Sequence, residues 1–352
     1  MHFPDVRPCV WLLFLRAAHA STWYVKTSGN DAHDGLSYAQ AFRTIQVRAV
    51  GEWLWWAAVL SQFLVCARLQ KGVQASESGD TVAIDVGTYS GAGNINIDTL
   101  GKAIHIRGGN GTTPAAGVGN TTISCGTTHT TSADFLCRGF IIHRGEGLGT
   151  VLSDLIVVGG GAMFNSTSTV GAYGVAGERG MGGGMLIVDS SPSLVRVGLH
   201  TSIAAVGGGC MAVIGNSSPA LSSVEFKNCK SSASGGAVLA QAPSSVDISA
   251  CTFAGGVAER WGGAVAVQAN VSAFTQAGTV SITGSVFSGC SAGRGGAVSS
   301  TVGTVLVTNS TFRGNAASGV GGGLHAGGGN VTVTGCYFVD NAAATHGRCH
   351  AV

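Results

Sequence analysis

Side chains that could carry chemistry are sparse in this 352-residue chain. Hydrolysis of a glycosidic bond needs two or three carboxylates converging on it, yet no two of the 17 acidic residues are adjacent. Elimination from a uronate would need Ca²⁺ to neutralise the sugar carboxylate and an Arg or Lys to take the α-proton. From Gly207 onward the acids are Glu225, Asp247, Glu259 and Asp340, and each falls at a different offset from its nearest Phe, so no acidic column is expected. Asp31 and Asp34 in GNDAHDG could ligate a cation, but the turn chemistry of Asp34-Gly35 already accounts for them. Arg260 and Arg294 stand just before Gly pairs in successive units and could line up on an exterior face, where Arg is ordinarily solvated. His346, Cys349 and His350 are metal-ligand types, but three candidates at a chain end fall short of a zinc motif. Gly182-Gly183-Gly184 lacks the Lys-Ser/Thr of a phosphate loop and reads as a corner of the chain. No catalytic, cofactor-binding or metal residue is assigned.

The elements that would position such residues come from a repeat. Segments beginning GGGCMAVIG, GGAVLAQAP, GGAVAVQAN, GGAVSSTVG and GGGLHAGGG align, and each ends on an aromatic: Phe226, Phe253, Phe287, Phe312 and Phe338. Each unit has a Gly pair, a small-apolar run such as Ala297-Val298, a polar turn, and an alternating strand such as Val331-Thr332-Val333. Alternation at a period of two buries one face of a strand, and a unit of ~26 residues cannot bury that face alone. Stacked coils can, which predicts parallel strands, like residues in ladders, and Phe stacked along the axis. The Gly pair predicts a corner with positive φ and close approach of neighbouring coils. Helical repeats would need amphipathic 3.6-residue stripes, and a propeller blade is longer than this unit. The longest interval, from Phe253 to Phe287, expands one turn around QANVSAFTQAGTV and is expected on the outside. Strands are also expected in Thr81–Val86, Ala103–Arg107 and the run from Phe140 to Ala162.

Charged residues make up only 10% of the chain and the net charge is +2, which excludes a highly charged disordered chain and gives no concentrated basic face for nucleic acid. Residues 1–20 read as a secretory signal, with Arg7 before the apolar run Val10 to Leu15 and Ala18-His19-Ala20 at the cleavage site. The alternative is a buried N-terminal segment. Seven glycosylation sequons, at Asn110, Asn120, Asn165, Asn216, Asn270, Asn309 and Asn330, point to the same exported compartment. Ten Cys fit disulfides once the chain is exported. Cys125 and Cys137 flank one polar, loop-like stretch and are the expected pair; the remaining connectivity is open.

STWYVKTSGNDAHDGLSYAQAFRTIQ, followed after a gap by KGVQASESGDTVAIDVGTYSG, resembles the opening of secreted pectate-lyase-like right-handed β-helix proteins. The later GGA-V and Phe-Arg-Gly-Asn pairs resemble the repeats of polymorphic outer-membrane proteins and related adhesin-like β-helices. The resemblance extends over nearly the whole chain after residue 20. It implies an all-β, single-stranded right-handed parallel β-helix with a short N-terminal capping helix, and it is specific for fold rather than activity. In that family the segment ending Thr-Ile-Gln runs straight into a basic residue and a short capping helix. Here 24 residues, 47–70, intervene between Gln46 and Lys71 and hold Trp53, Trp55 and Trp56. Their frame-preserving length, and codon options of GT at Val47 and AG at Gln70, suggest a retained intron. A packed or interfacial helix is the rival, since Trp53 to Ala67 is too short to span a bilayer.

The expected organisation is therefore a signal (1–20), a cap region (21–46), an anomalous insert (47–70), a β-helix (71–345) and a tail (346–352) that ends without a recognisable cap. Association at that uncapped coil is expected. The leading functional expectation is a secreted or cell-surface protein with a non-catalytic adhesive or structural role, presenting a repeat face to extracellular glycans or proteins, without a cofactor, nucleic acid or stable transmembrane span. The competing one is a pectate-lyase-like polysaccharide lyase using Ca²⁺, or a related glycoside hydrolase. Of the hydrolase motifs only Asn96-Ile97-Asp98 offers an echo.

Overall fold

A computed structural model describes residues 20–45, 72–109, 120–126, 134–164, 178–269 and 278–345. The leader 1–19, the insert 47–70, the sequons Asn110, Asn165 and Asn270, and the tail with His346, Cys349 and His350 lie outside them.

One coil illustrates the whole. Met211–Ile214, Ala220–Ser222, Glu225–Lys227 and Lys230–Ser231 follow one another around the coil, and each pairs in parallel with its counterpart one coil on. Four sheets result, here numbered I to IV in that order around the coil, with eight, ten, nine and eight strands. The chain is thus a parallel β-solenoid. The one antiparallel pair among the described strands joins Asp134–Cys137 to Gly161–Phe164 in sheet IV. No helix among the described residues is long and apolar enough to cross a membrane.

The ladders follow from register. On sheet II, Leu194, Leu221, Ile248, Ile282 and Val307 are stacked partners pointing inward, all buried. On sheet III the expected aromatic stack forms: Phe226, Phe253, Phe287, Phe312 and Phe338 have successive ring centroids 4.6–4.7 Å apart and planes within 7° of parallel. Such pairs add about 0.5–1.5 kcal/mol each beyond area burial. Toward the N-terminus the same column continues through Leu199, Val157 and Ile123 to Tyr89.

The Gly pair divides its work. Gly235 has φ +63, while a Cβ on Gly236 would overlap the carbonyl oxygen of Gly263 one coil on. The first glycine supplies a left-handed corner and the second lets coils approach.

Three findings depart from expectation. The expected capping helix is not seen among the described residues: the only α-helical stretch there is the single turn Gly72–Ala75, too short to be stable by itself and followed at once by the turn formers Ser76 to Gly79. The carbonyls of Val73 and Gln74 in this turn, and of Ser76 just after it, accept from Lys102 Nζ (2.6–3.1 Å). The strands expected at Thr81–Val86 and Ala103–Arg107 run over Thr81–Ile84 and His105–Gly108. Finally, sheet I is buried on both faces: Met185–Val188, Met211–Ile214 and Val238–Gln241 are buried throughout. These stretches do not alternate, the pattern of a strand covered on two sides. Their outward residues, Leu186, Val188, Ala212, Ile214 and Leu239, form a second apolar cluster with Met181 and with Ala266 of the next strand, Val265–Gln268.

Candidate functional site

The corner from sheet IV into sheet I carries the arginines noted in the sequence. Isolated bridges hold Met181, Gly207, Ser234, Trp261 and Arg294 in one column just before the Gly pairs. Backbone hydrogen bonds lock the local geometry: Arg294 N–H donates to the Arg260 carbonyl (2.8 Å) and Gly262 N–H to that of Arg294 (3.0 Å). Arg260 and Arg294 are therefore one residue out of register, yet both line one shallow groove with Trp261, Gly293, Ser318 and Gly319. Both arginines are exposed and Trp261 is half-buried. Neither guanidinium has a hydrogen-bond or ion-pair partner among the described residues, and Glu259 forms no ion pair with its neighbour Arg260. The indole packs against the outer apolar cluster of sheet I, which fixes it. Farther along that face, Ser299 Oγ bonds His325 Nδ1 (3.2 Å), and burial, then the charge of Arg294, lowers the His325 pKa.

The half-buried and buried carboxylates have other occupations. Asp98, from the Asn96-Ile97-Asp98 echo, accepts from His143 Nε2 (3.1 Å) and from Arg144 Nε and Nη2 (3.1 and 3.0 Å) through Oδ2. Its Oδ1 accepts from Leu100 N–H (2.7 Å). Burial pushes its pKa up, but these donors outweigh burial and bring it down to about 2. Glu146 accepts from Thr99 Oγ1 (2.7 Å), Gly101 N–H (2.9 Å), Arg144 N–H (2.7 Å) and Ser190 Oγ (2.9 Å). It too is held below the ordinary range, its donors overcoming burial. Buried Asp154 takes Arg196 bidentately at 2.7 and 3.0 Å. A glycosidic general acid needs a carboxyl kept protonated, whereas Asp98 and Glu146 are both stabilised as carboxylates. Asp31 Oδ1 accepts from Arg43 N–H, Thr44 N–H and Thr44 Oγ1, and Asp34 Oδ1 from Leu36 N–H, so both serve the turns around them. Among the described residues no three His, Cys, Asp or Glu gather as a metal set.

Cys125 and Cys137 are joined by a disulfide, and a second bond, between Cys210 and Cys229, closes a coil internally. Cys251, Cys290 and Cys336 are free thiols. They sit in polar columns: Cys251 N–H donates to Ser285 Oγ, Ser285 N–H to Ser310 Oγ and Ser310 N–H to Cys336 Sγ (3.1–3.4 Å). Burial pushes the thiols of Cys251 and Cys290 up to about 11. They act as small ladder members rather than nucleophiles.

The described sequons Asn120, Asn216, Asn309 and Asn330 are all exposed. They border sheet II: Asn216 lies in the turn before Ala220–Ser222, Asn330 opens the strand Asn330–Thr334, and Asn120 and Asn309 lie at the corner between sheets II and III. The arginine–tryptophan groove lies at the corner from sheet IV into sheet I, across the coil from Asn120 and Asn309, whereas Asn216 and Asn330 lie at the corner between sheets I and II.

Sequence reading pairs Arg260 with Arg294 but misses Trp261 between them, whose signal is its place in the Gly-pair register. It also misses the Asp98–His143–Arg144 cluster and fully buried Arg138, whose guanidinium donates to the carbonyls of Glu178, Met181 and Gly182. No family model, curated protein or solved structure matches the chain, so its resemblance to known β-helices rests on the motifs quoted above.

Proposed function

We propose that this chain is a secreted or cell-surface right-handed parallel β-helix, of the pectate-lyase-like and adhesin-like kind, with a non-catalytic binding role toward extracellular glycans or proteins. The observation that carries this reading is the segregation of its surface. The exposed, described sequons border sheet II, while two arginines without a partner among the described residues and a fixed tryptophan share a groove at the corner from sheet IV into sheet I. Glycans at Asn120 and Asn309 would project from the far side of the coil from that groove. The strong chiral preference of parallel crossovers supports the right-handed form of this reading. Disulfides, which persist in oxidising compartments, support export. The ionised state of Asp98 and Glu146 fits structural carboxylates better than a hydrolytic pair.

The test uses the full chain from a secretory host. Glycosidase-sensitive mass at the four exposed sequons and binding to immobilised extracellular glycans or cell surfaces are expected. Release of unsaturated uronates from polygalacturonate or alginate, with or without Ca²⁺, would reverse the conclusion in favour of a lyase.

A further inference from the structure

Resting on that reading, we propose that the groove lined by Arg260, Trp261 and Arg294 is a binding site for a sulfated glycan. The two guanidiniums come from successive coils, are exposed, and have no partner among the described residues. Only 10% of this chain is charged, so two unneutralised arginines in one groove are a local concentration of charge. A carboxylate offers two oxygens whose acceptor sites all lie in one plane, so two forks arriving from different directions compete for that plane. A sulfate ester offers three terminal oxygens arranged tetrahedrally, which two forks approaching from different coils can share, and planar guanidinium suits such oxyanions better than a point-like ammonium.

Beside the charges, Trp261 supplies a broad apolar surface for the C–H face of a sugar ring, with its indole braced by the cluster behind it. Gly293, Gly319 and Ser318 form the rest of the lining, where small side chains leave room for a chain of sugars to lie along the corner. The lining comes from three successive coils, so the groove runs along the axis, the direction in which a polymeric ligand would lie. An acidic polyuronate or an acidic protein segment would engage the same charges, but would not use both forks on one group.

The experiment measures binding of the full glycoprotein to immobilised dextran sulfate, polygalacturonate and unmodified dextran at roughly 0.15 M salt. Dextran sulfate is expected to bind at least about tenfold more tightly than polygalacturonate, and dextran not at all; Arg260→Ala and Arg294→Ala should each weaken dextran sulfate binding about tenfold or more. Arg→Lys at either position should recover part of that loss, and Trp261→Phe should weaken binding of the sulfated polymer more than it weakens competition by inorganic sulfate. Arg313→Ala, exposed on sheet III, is the control and should change binding less than about twofold. Thermal unfolding and disulfide content should be unchanged in all variants. Equal affinity for polygalacturonate, full binding by the double variant R260A/R294A, or an equal loss in R313A would each overturn the sulfated-glycan site. Those results leave the broader reading standing, because that reading fails on uronate release or on absence of any extracellular binding.

Discussion

At Ala250 the backbone holds a left-handed conformation (φ +50) at the corner between sheets II and III. The same column contains Ser223, Gly284, Asn309 and Gly335, so the fold demands positive φ there whatever the residue. A Cβ in that region costs roughly 1–2 kcal/mol, while glycine adds about 0.4–1 kcal/mol of unfolded-state entropy. The first effect is larger, so Ala250→Gly should stabilise the protein by about 0.5–1 kcal/mol, read from denaturant midpoints. Asp98 makes a pH-dependent contribution. Its folded pKa, about 2, lies below the ordinary value of roughly 3.9. The contribution is present above the unfolded pKa and lost as pH falls through the folded one. Asp98→Asn should therefore destabilise on the order of 2 kcal/mol at pH 7, with the gap from wild type closing between about pH 4 and pH 2.

Within an element, the ladders set the energetics. Phe287 is fully buried and stacked on both Phe253 and Phe312. Phe287→Ala should cost about 3–5 kcal/mol and Phe287→Leu distinctly less, since Leu199 occupies the same column in an earlier coil. Chemical unfolding of the two variants side by side checks this; equal losses would mean that the aromatic stack adds nothing beyond volume. The asparagine pair one turn further on is a polar counterpart. Asn315 Nδ2 donates to Asn341 Oδ1 (2.8 Å) and to the Phe287 carbonyl (3.1 Å), while Asn315 Oδ1 accepts from Cys290 N–H (2.9 Å). Buried backbone groups at a corner are thereby satisfied across three successive coils.

For the molecule as a whole, legibility in the sequence tracks the regularity of the period. Where Phe recurs every 25–34 residues, strand order, Gly corners and aromatic stack all follow from the spacing of Gly pairs and aromatics. The Cys125–Cys137 pair is also legible, from the polar stretch between them. Asp98 and His143, by contrast, are 45 residues apart, and Asp154 and Arg196 are 42 apart. Such contacts join coils of irregular length, and without a repeat to set register the sequence does not announce them. The two-sided burial of sheet I is hidden because runs such as Met211-Ala212-Val213-Ile214 show which strands are covered but not what covers them. Similarly, Arg260 and Arg294 are visible as a recurrence, but the groove depends on a one-residue offset that only stacking reveals.

That second apolar layer on sheet I has a consequence for how the coils come into being. A solenoid of nearest-neighbour coils can nucleate anywhere and wind outward, unless one stretch gains more than its neighbours. Residues 185–188, 211–214 and 238–241 are covered on two sides, while the last coil among the described residues, with Asn330–Thr334 mostly exposed, is not. Folding is expected to start in the middle and proceed toward both ends. Native-state hydrogen exchange should find the slowest amides in those three strands and graded loss of protection toward residue 345; uniform protection along the axis would instead mark a single all-or-none unit.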